Sequence, residues 1–166
     1  MPTEKETREA IAEVITLTVA STVTVIPRDV LGLFRQGDYK PLLAAGATYT
    51  RGWMVTQKAA TWDESESGDT YAAYRPAWHV WQLHEYFTGD DVANSEDVAS
   101  AEREAVMAAF ANPSAVVGIQ QATLDALATL GRITFPTIAC APMTEGGKLY
   151  HWAQGEIAGR YNTAGC

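Results

Sequence analysis

The sequence predicts an α+β fold: a mostly antiparallel sheet with a long projecting hairpin, and helices packed on the sheet. Three observations lead there. Residues 47–62 and 75–88 alternate from one side chain to the next in the period-two pattern of strands. Residues 4–17 and 95–110 instead repeat their apolar residues at helical spacing. Strands follow one another directly rather than alternating one by one with helices, which argues for antiparallel pairing. With 166 residues, 47% of them apolar and 19% charged, the chain has enough material for a real core and is not disordered. No repeat, linker or low-complexity block divides it, so residues 1–166 read as a single domain.

The elements follow in order. Thr3-x-x-Glu6 has the form of a capping box, in which hydroxyl and carboxylate satisfy free backbone N–H groups. Ala10, Ile11, Val14, Ile15 and Thr18 then recur on one helical face, giving a first helix over residues 4–17. The β-branched run 18–26 favours an extended exit, closed by Pro27. Residues 28–46 carry Gly32, Gly37, Pro41 and Gly46 and read as irregular, with room for one short strand. In the first long strand Tyr49, Arg51, Trp53, Val55 and Gln57 alternate with Thr50, Gly52, Met54, Thr56 and Lys58. Residues 63–69 have no apolar member and form an acidic loop.

In the second long strand Ala77, His79, Trp81, Leu83, Glu85 and Phe87 share one face, and Trp78, Val80, Gln82, His84 and Tyr86 the other. The two strands and their loop predict a hairpin with a projecting tip. Asp90-Asp91 and Asn94-Ser95 open a second helix at the end where the macrodipole favours acid, and Asn112-Pro113 stops it. Its expected buried stripe is Val98, Ala101, Ala105, Val106, Ala109 and Phe110. A short helix over 123–130 ends at Gly131. Extended segments at 133–141 and 149–161 close the chain, with Gly146-Gly147 suited to the turn between them.

Composition excludes several functions. Twelve basic against twenty acidic residues leave a net charge of −8, and no two Lys or Arg stand adjacent. Gripping a phosphate backbone needs clustered cations, so nucleic-acid recognition is not expected. A wall past which nucleic acid slides without sticking remains compatible. No segment approaches a membrane span, and the polar, acidic first residues do not form a secretory signal, so a soluble protein acting where it is made is expected. Cys140 and Cys166 make neither a disulfide framework nor a metal spacing; Cys140 reads as a core residue and Cys166 as an exposed thiol.

No constellation argues for catalysis, and no cofactor or metal is expected. His79 and His84 are five apart in a strand, point to opposite faces and cannot share a metal. His151 is the third histidine. There is no Gly-x-Ser-x-Gly elbow and no phosphate loop. Asp63, Glu64, Glu66 and Asp69 lack the spacing of a calcium loop, so solvation explains them better than a cation does. The tryptophans say more. Trp78 and Trp81 fall on opposite faces of one strand, so both faces are covered, either by this chain's own helices and hairpin or by a neighbouring subunit.

The layout resembles the tail terminator (tail-completion) proteins of long-tailed bacteriophages. A helix like Arg8-Glu9-Ala10-Ile11 leads through an irregular stretch to a strand and an acidic loop. The strand Pro76-Ala77-Trp78-His79-Val80-Trp81-Gln82-Leu83-His84-Glu85-Tyr86-Phe87 resembles that family's central strand and runs into an acidic turn and a helix, 95–110. The segment 149–161 sits where the family has its last strand. The stretches 27–46 and 113–131 are longer than that pattern expects. The resemblance implies a non-enzymatic virion protein, assembled in the host cytoplasm, that forms a hexameric ring. Its partners would be further copies of itself, the tail tube protein and the head–tail connector protein, with DNA passing through without specific binding and no membrane. The alternatives are another neck or head–tail connector component, or a small-ligand α+β enzyme. Two sets of residues are singled out as candidates. Trp62, Asp63, Glu64, Glu66, Asp69 and Tyr71 at the hairpin tip form an interface or, on the plainer reading, a solvated loop. Asp90, Asp91 and Glu145 sit at turns and could put charge on a ring's lumen, where carboxylates repel phosphates.

Overall fold

The computed structural model describes residues 2–28, 46–63, 73–87, 92–128, 138–145 and 147–158. The first helix, α1 (Glu4–Thr18), begins at the expected capping box. The Glu6 N–H donates to Thr3 Oγ1 at 3.2 Å, and the Thr3 N–H donates to Glu6 Oε2 at 2.6 Å. Ala10, Ile11, Val14 and Ile15 are buried as the spacing requires. The extended exit is shorter than expected: only β1 (Thr24–Ile26) is strand. Thr16 and Thr18 hydroxyls donate back to the Ala12 and Val14 carbonyls, at 2.8 and 2.7 Å, and so fit into the last helical turn.

Two strands of 13 residues each, β2 (Arg51–Asp63) and β3 (Ala73–Glu85), pair antiparallel from Arg51↔His84 to Asp63↔Ala73, with a bulge between Gln57 and Ala59. Residues 64–72, which join them, lie outside the described residues, and so does the expected projection of the tip. The second helix, α2 (Val92–Ala111), is followed by a 3₁₀ turn (Pro113–Ala115) and α3 (Gln121–Ala128). The last two strands, β4 (Ile138–Glu145) and β5 (Lys148–Ala158), form a hairpin that closes at Glu145↔Lys148 around Gly146-Gly147. Gly147 has φ 77°, a backbone that favours glycine. β4 runs on through Pro142 because it is an edge strand, where a missing N–H costs no ladder bond.

The sheet order is β1-β2-β3-β5-β4, parallel at β1–β2 and antiparallel elsewhere. This is the mostly antiparallel α+β fold that the sequence predicts. α1, α2 and α3 cover one face. Ile11, Val14 and Ile15 meet Trp53, Val55, Trp78, Val80, Val106, Phe110, Leu127 and Ile157 there. On the opposite face Ile26, Met54, Leu83 and Tyr150 are buried, with Trp81, Met143 and Trp152 half-buried beside them. Trp78 and Trp81 therefore do lie on opposite faces, and Trp81 packs on Trp152 at 5.5 Å between centroids.

Two expectations are corrected. The buried stripe of α2 is Ser95, Ala99, Val106, Ala109 and Phe110, whereas Val98 is 37% exposed and Ala101 and Ala105 face solvent. The helix is rotated because Glu102 and Arg103, which a hydropathy pattern places outside, turn toward the sheet and are bonded there. Cys140 is exposed rather than buried. It sits on the edge strand, while α2 packs on β3 and β5.

Candidate functional site

A polar layer lies between α2 and the sheet. β2 supplies Arg51 and Trp53, β3 supplies Gln82, and the Glu102 carboxylate from α2 accepts from all three. The distances are 3.0 Å from Arg51 Nη2, 2.6 Å from Trp53 Nε1 and 3.1 Å from Gln82 Nε2. Gln82 Nε2 also donates to the Ala99 carbonyl at 3.1 Å, and Gln82 Oε1 accepts from Arg103 Nη1 at 2.9 Å. The amide is thus used on both sides. With Glu102 and Arg51 side chains only 9% and 17% exposed, these bonds fix the rotation of α2 on the sheet.

Toward the end of the sheet where β3 finishes, the layer becomes imidazole. His84 and His151 are direct cross-strand partners on β3 and β5. Burial, and then the Arg51 guanidinium, push the His84 ring down to about 4. Burial lowers His151 as well. Both rings are neutral at pH 7. Ser95 Oγ bonds His151 Nε2 at 2.8 Å, and Tyr86 stacks on the His151 ring at 3.9 Å between centroids. On the other side of the strand Glu85 accepts from the Thr50 N–H at 2.9 Å and from Lys148 Nζ at 2.7 Å. Beside this cluster a cleft of ≈ 250 Å³ is lined by Tyr86, Glu96, Arg103, Cys140, Pro142 and His151. A larger, more open groove of ≈ 660 Å³ runs between α1 and α3, with Glu6, Glu9, Glu13 and Asp125 on its walls.

Of the residues singled out from sequence, Trp62 and Asp63 end β2 opposite Tyr74 and Ala73, and Glu145 ends β4 opposite Lys148. The side chains of these three lie outside the described residues, as do Glu64, Glu66, Asp69, Tyr71, Asp90 and Asp91 entirely. Trp62 and Asp63 stand at one end of the sheet and Glu145 at the other, so the structure does not bring them together. Along β3 the register from Ala73, opposite Asp63, to Glu85, opposite Tyr150, already spans twelve residues, roughly 40 Å, and Lys148, opposite Glu145, lies two residues further on. As expected, His79 and His84 face opposite ways: His84 is fully buried, and His79 meets the edge of Trp81 at 5.5 Å. The His84–His151 pair was not expected. Its signal was Gln82 and His84 continuing the face begun by Trp78 and Val80, two polar residues where burial was due. Among the described residues no three His, Cys, Asp or Glu come together as a metal site. Neither protein-family models nor curated proteins give any match to this chain.

Proposed function

We propose that this is a non-enzymatic structural protein of a bacteriophage virion, of the tail terminator kind. It assembles in the host cytoplasm into a ring, a hexamer as in that family, which caps the tail tube and joins it to the head connector. The observation that carries the reading is the order of elements. α1 comes first, an antiparallel β2–β3 pair flanks the acidic residues 64–72, α2 follows, and β5 is the last of the described elements. That order is the layout on which the resemblance rests. The polar groups between α2 and the sheet also suit a scaffold, because Gln82 and Arg51 both donate to Glu102 and so tie β3 and β2 to α2.

In such a ring the partners are neighbouring copies, the tail tube protein and the connector, and DNA passes through the channel without being gripped. A net charge of −8 per subunit favours that passage. The test is assembly. The purified protein is weighed by light scattering and viewed on a grid, and tails made without it are measured. Rings, together with tails of abnormal length in its absence, are expected. A monomer together with normal tails overturns the reading.

A further inference from the structure

Arg51, His84 and His151 are consecutive cross-strand partners on β2, β3 and β5, so they form one row on the helix side of the sheet. α2 meets this end of the sheet through Ser95, which bonds His151, and through the Ala99 carbonyl, which accepts from Gln82. His84 adjoins both contacts and is fully buried, as is Ser95. Its Nδ1 donates to the Glu85 carbonyl at 3.3 Å, which leaves Nε2 as the atom that takes up a proton. Neither His84 Nε2 nor Arg51 Nε has a hydrogen-bond partner among the described residues. The charges facing the ring do not suit a cation: Arg51 from β2, His151 from β5 and Arg103 from α2 all oppose one. The described carboxylates around it are engaged elsewhere. Glu102 accepts from Arg51, Trp53 and Gln82, Glu85 from the Thr50 N–H and Lys148, and Glu96 acts on His151.

We propose that this row is an acid-operated latch: proton uptake by His84 and His151 frees residues 92–98 of α2 from the sheet, while the Glu102 bonds keep the rest of the helix docked. Three cations in a row then stand at the N-terminal end of α2, the positive end of its macrodipole, which repels them. Water relieves the buried charge, and it enters where α2 is held least. At Glu102 three side chains of β2 and β3 tie the helix down, and none of them is an imidazole. Nearer the N-terminus the bond to the sheet runs through Ser95 and His151, one of the titrating rings. Covered, His84 has a pKa of about 4; reached by water, it returns toward the ordinary 6.5. Opening is therefore favoured as pH falls, about twentyfold between pH 7 and 5 from this ring alone, and His151 adds in the same sense. The latch belongs to a single subunit and does not depend on ring assembly.

Amide hydrogen exchange of the full chain, followed residue by residue by NMR, tests the latch. From pH 7 to 5 the amides of residues 96–98 are expected to exchange about twentyfold faster, after correction for the intrinsic effect of pH, and to recover on return to pH 7. Urea well below the unfolding transition should leave their rates unchanged while speeding those of residues 78–83 in β3, because the opening is local. H84Q should remove most of the rise with acid, and H151Q a smaller part. In the unaltered chain the His84 ring signals should titrate with a midpoint below 6.5 and in step with the amide shifts of residues 95–98, a readout that needs no variant to fold. Rates at residues 96–98 that stay flat with pH, that rise with urea as those of β3 do, or that keep their full pH dependence in H84Q overturn the proposal. A His84 midpoint at 6.5 or above does the same.

Discussion

At the scale of single residues, the decisive group is Glu102. Its carboxylate is the acceptor for Arg51, Trp53 and Gln82 at once, so Glu102→Ala strands a nearly buried guanidinium and two N–H donors. Leaving one partner of such a pair uncompensated costs about 3 kcal/mol. A lower denaturant midpoint with an unchanged slope is the expected result, and Arg51→Met in the same chain should recover part of the loss. His84 makes the second prediction. Its folded pKa of about 4 lies below the ordinary 6.5, so the unfolded chain binds the proton first. Stability is therefore full above about pH 6.5 and falls as pH drops toward 4, by about 2–3 kcal/mol from this ring. The neighbouring His151 acts in the same direction. Urea titrations across pH 7 to 5 should show the slope, and His84→Gln should flatten it. Neither residue was legible as a partner in the sequence. A pattern of apolar spacing assigns a charged residue to the surface and is silent about cross-strand register, which only the folded sheet supplies.

At the scale of elements, most of the secondary structure was legible, because capping, period and breakers act locally. Thr3 and Glu6 mark the start of α1, and Gly146-Gly147 the β4–β5 turn. What was not legible was orientation. The stripe expected on α2 included Val98, which is exposed, and omitted Ala99, which is fully buried. This gives a sharp pair of substitutions. Val98→Asp should change stability by no more than about 0.5 kcal/mol, whereas Ala99→Leu overpacks the α2–sheet contact and should cost about 1–3 kcal/mol. Thermal unfolding of the two variants decides which face of the helix is inside. In the turn, Gly147→Ala should cost about 1 kcal/mol through the backbone alone, since a Cβ there meets nothing within 4 Å.

At the scale of the whole molecule, the fold class was readable from adjacent strands and two helical stretches, while the placement of Trp62, Asp63 and Glu145 on the sheet was not. Trp62 and Asp63 lie at the opposite end of the sheet from Glu145, and no local pattern encodes that distance. If the tip of the β2–β3 pair is a subunit or tube contact, replacing residues 63–69 with Gly-Gly should leave the monomer's circular dichroism intact and abolish rings in light scattering. Rings of full size from that variant would remove the tip from the interface. Strand order has a consequence in time as well as in space. β5, the last strand among the described residues, lies between β3 and β4 and brings Ile157 and Tyr150 into the two apolar layers. A nascent chain that has emerged only as far as β4 therefore holds β3 with one flank unpaired and β4 with no neighbour to join. Synthesis adds about 5–20 residues per second, so that open edge persists for as long as β5 is still being made. The growing chain is most exposed to pairing with other chains during this interval, and the ribosome-bound intermediate, rather than the finished protein, is where aggregation should begin.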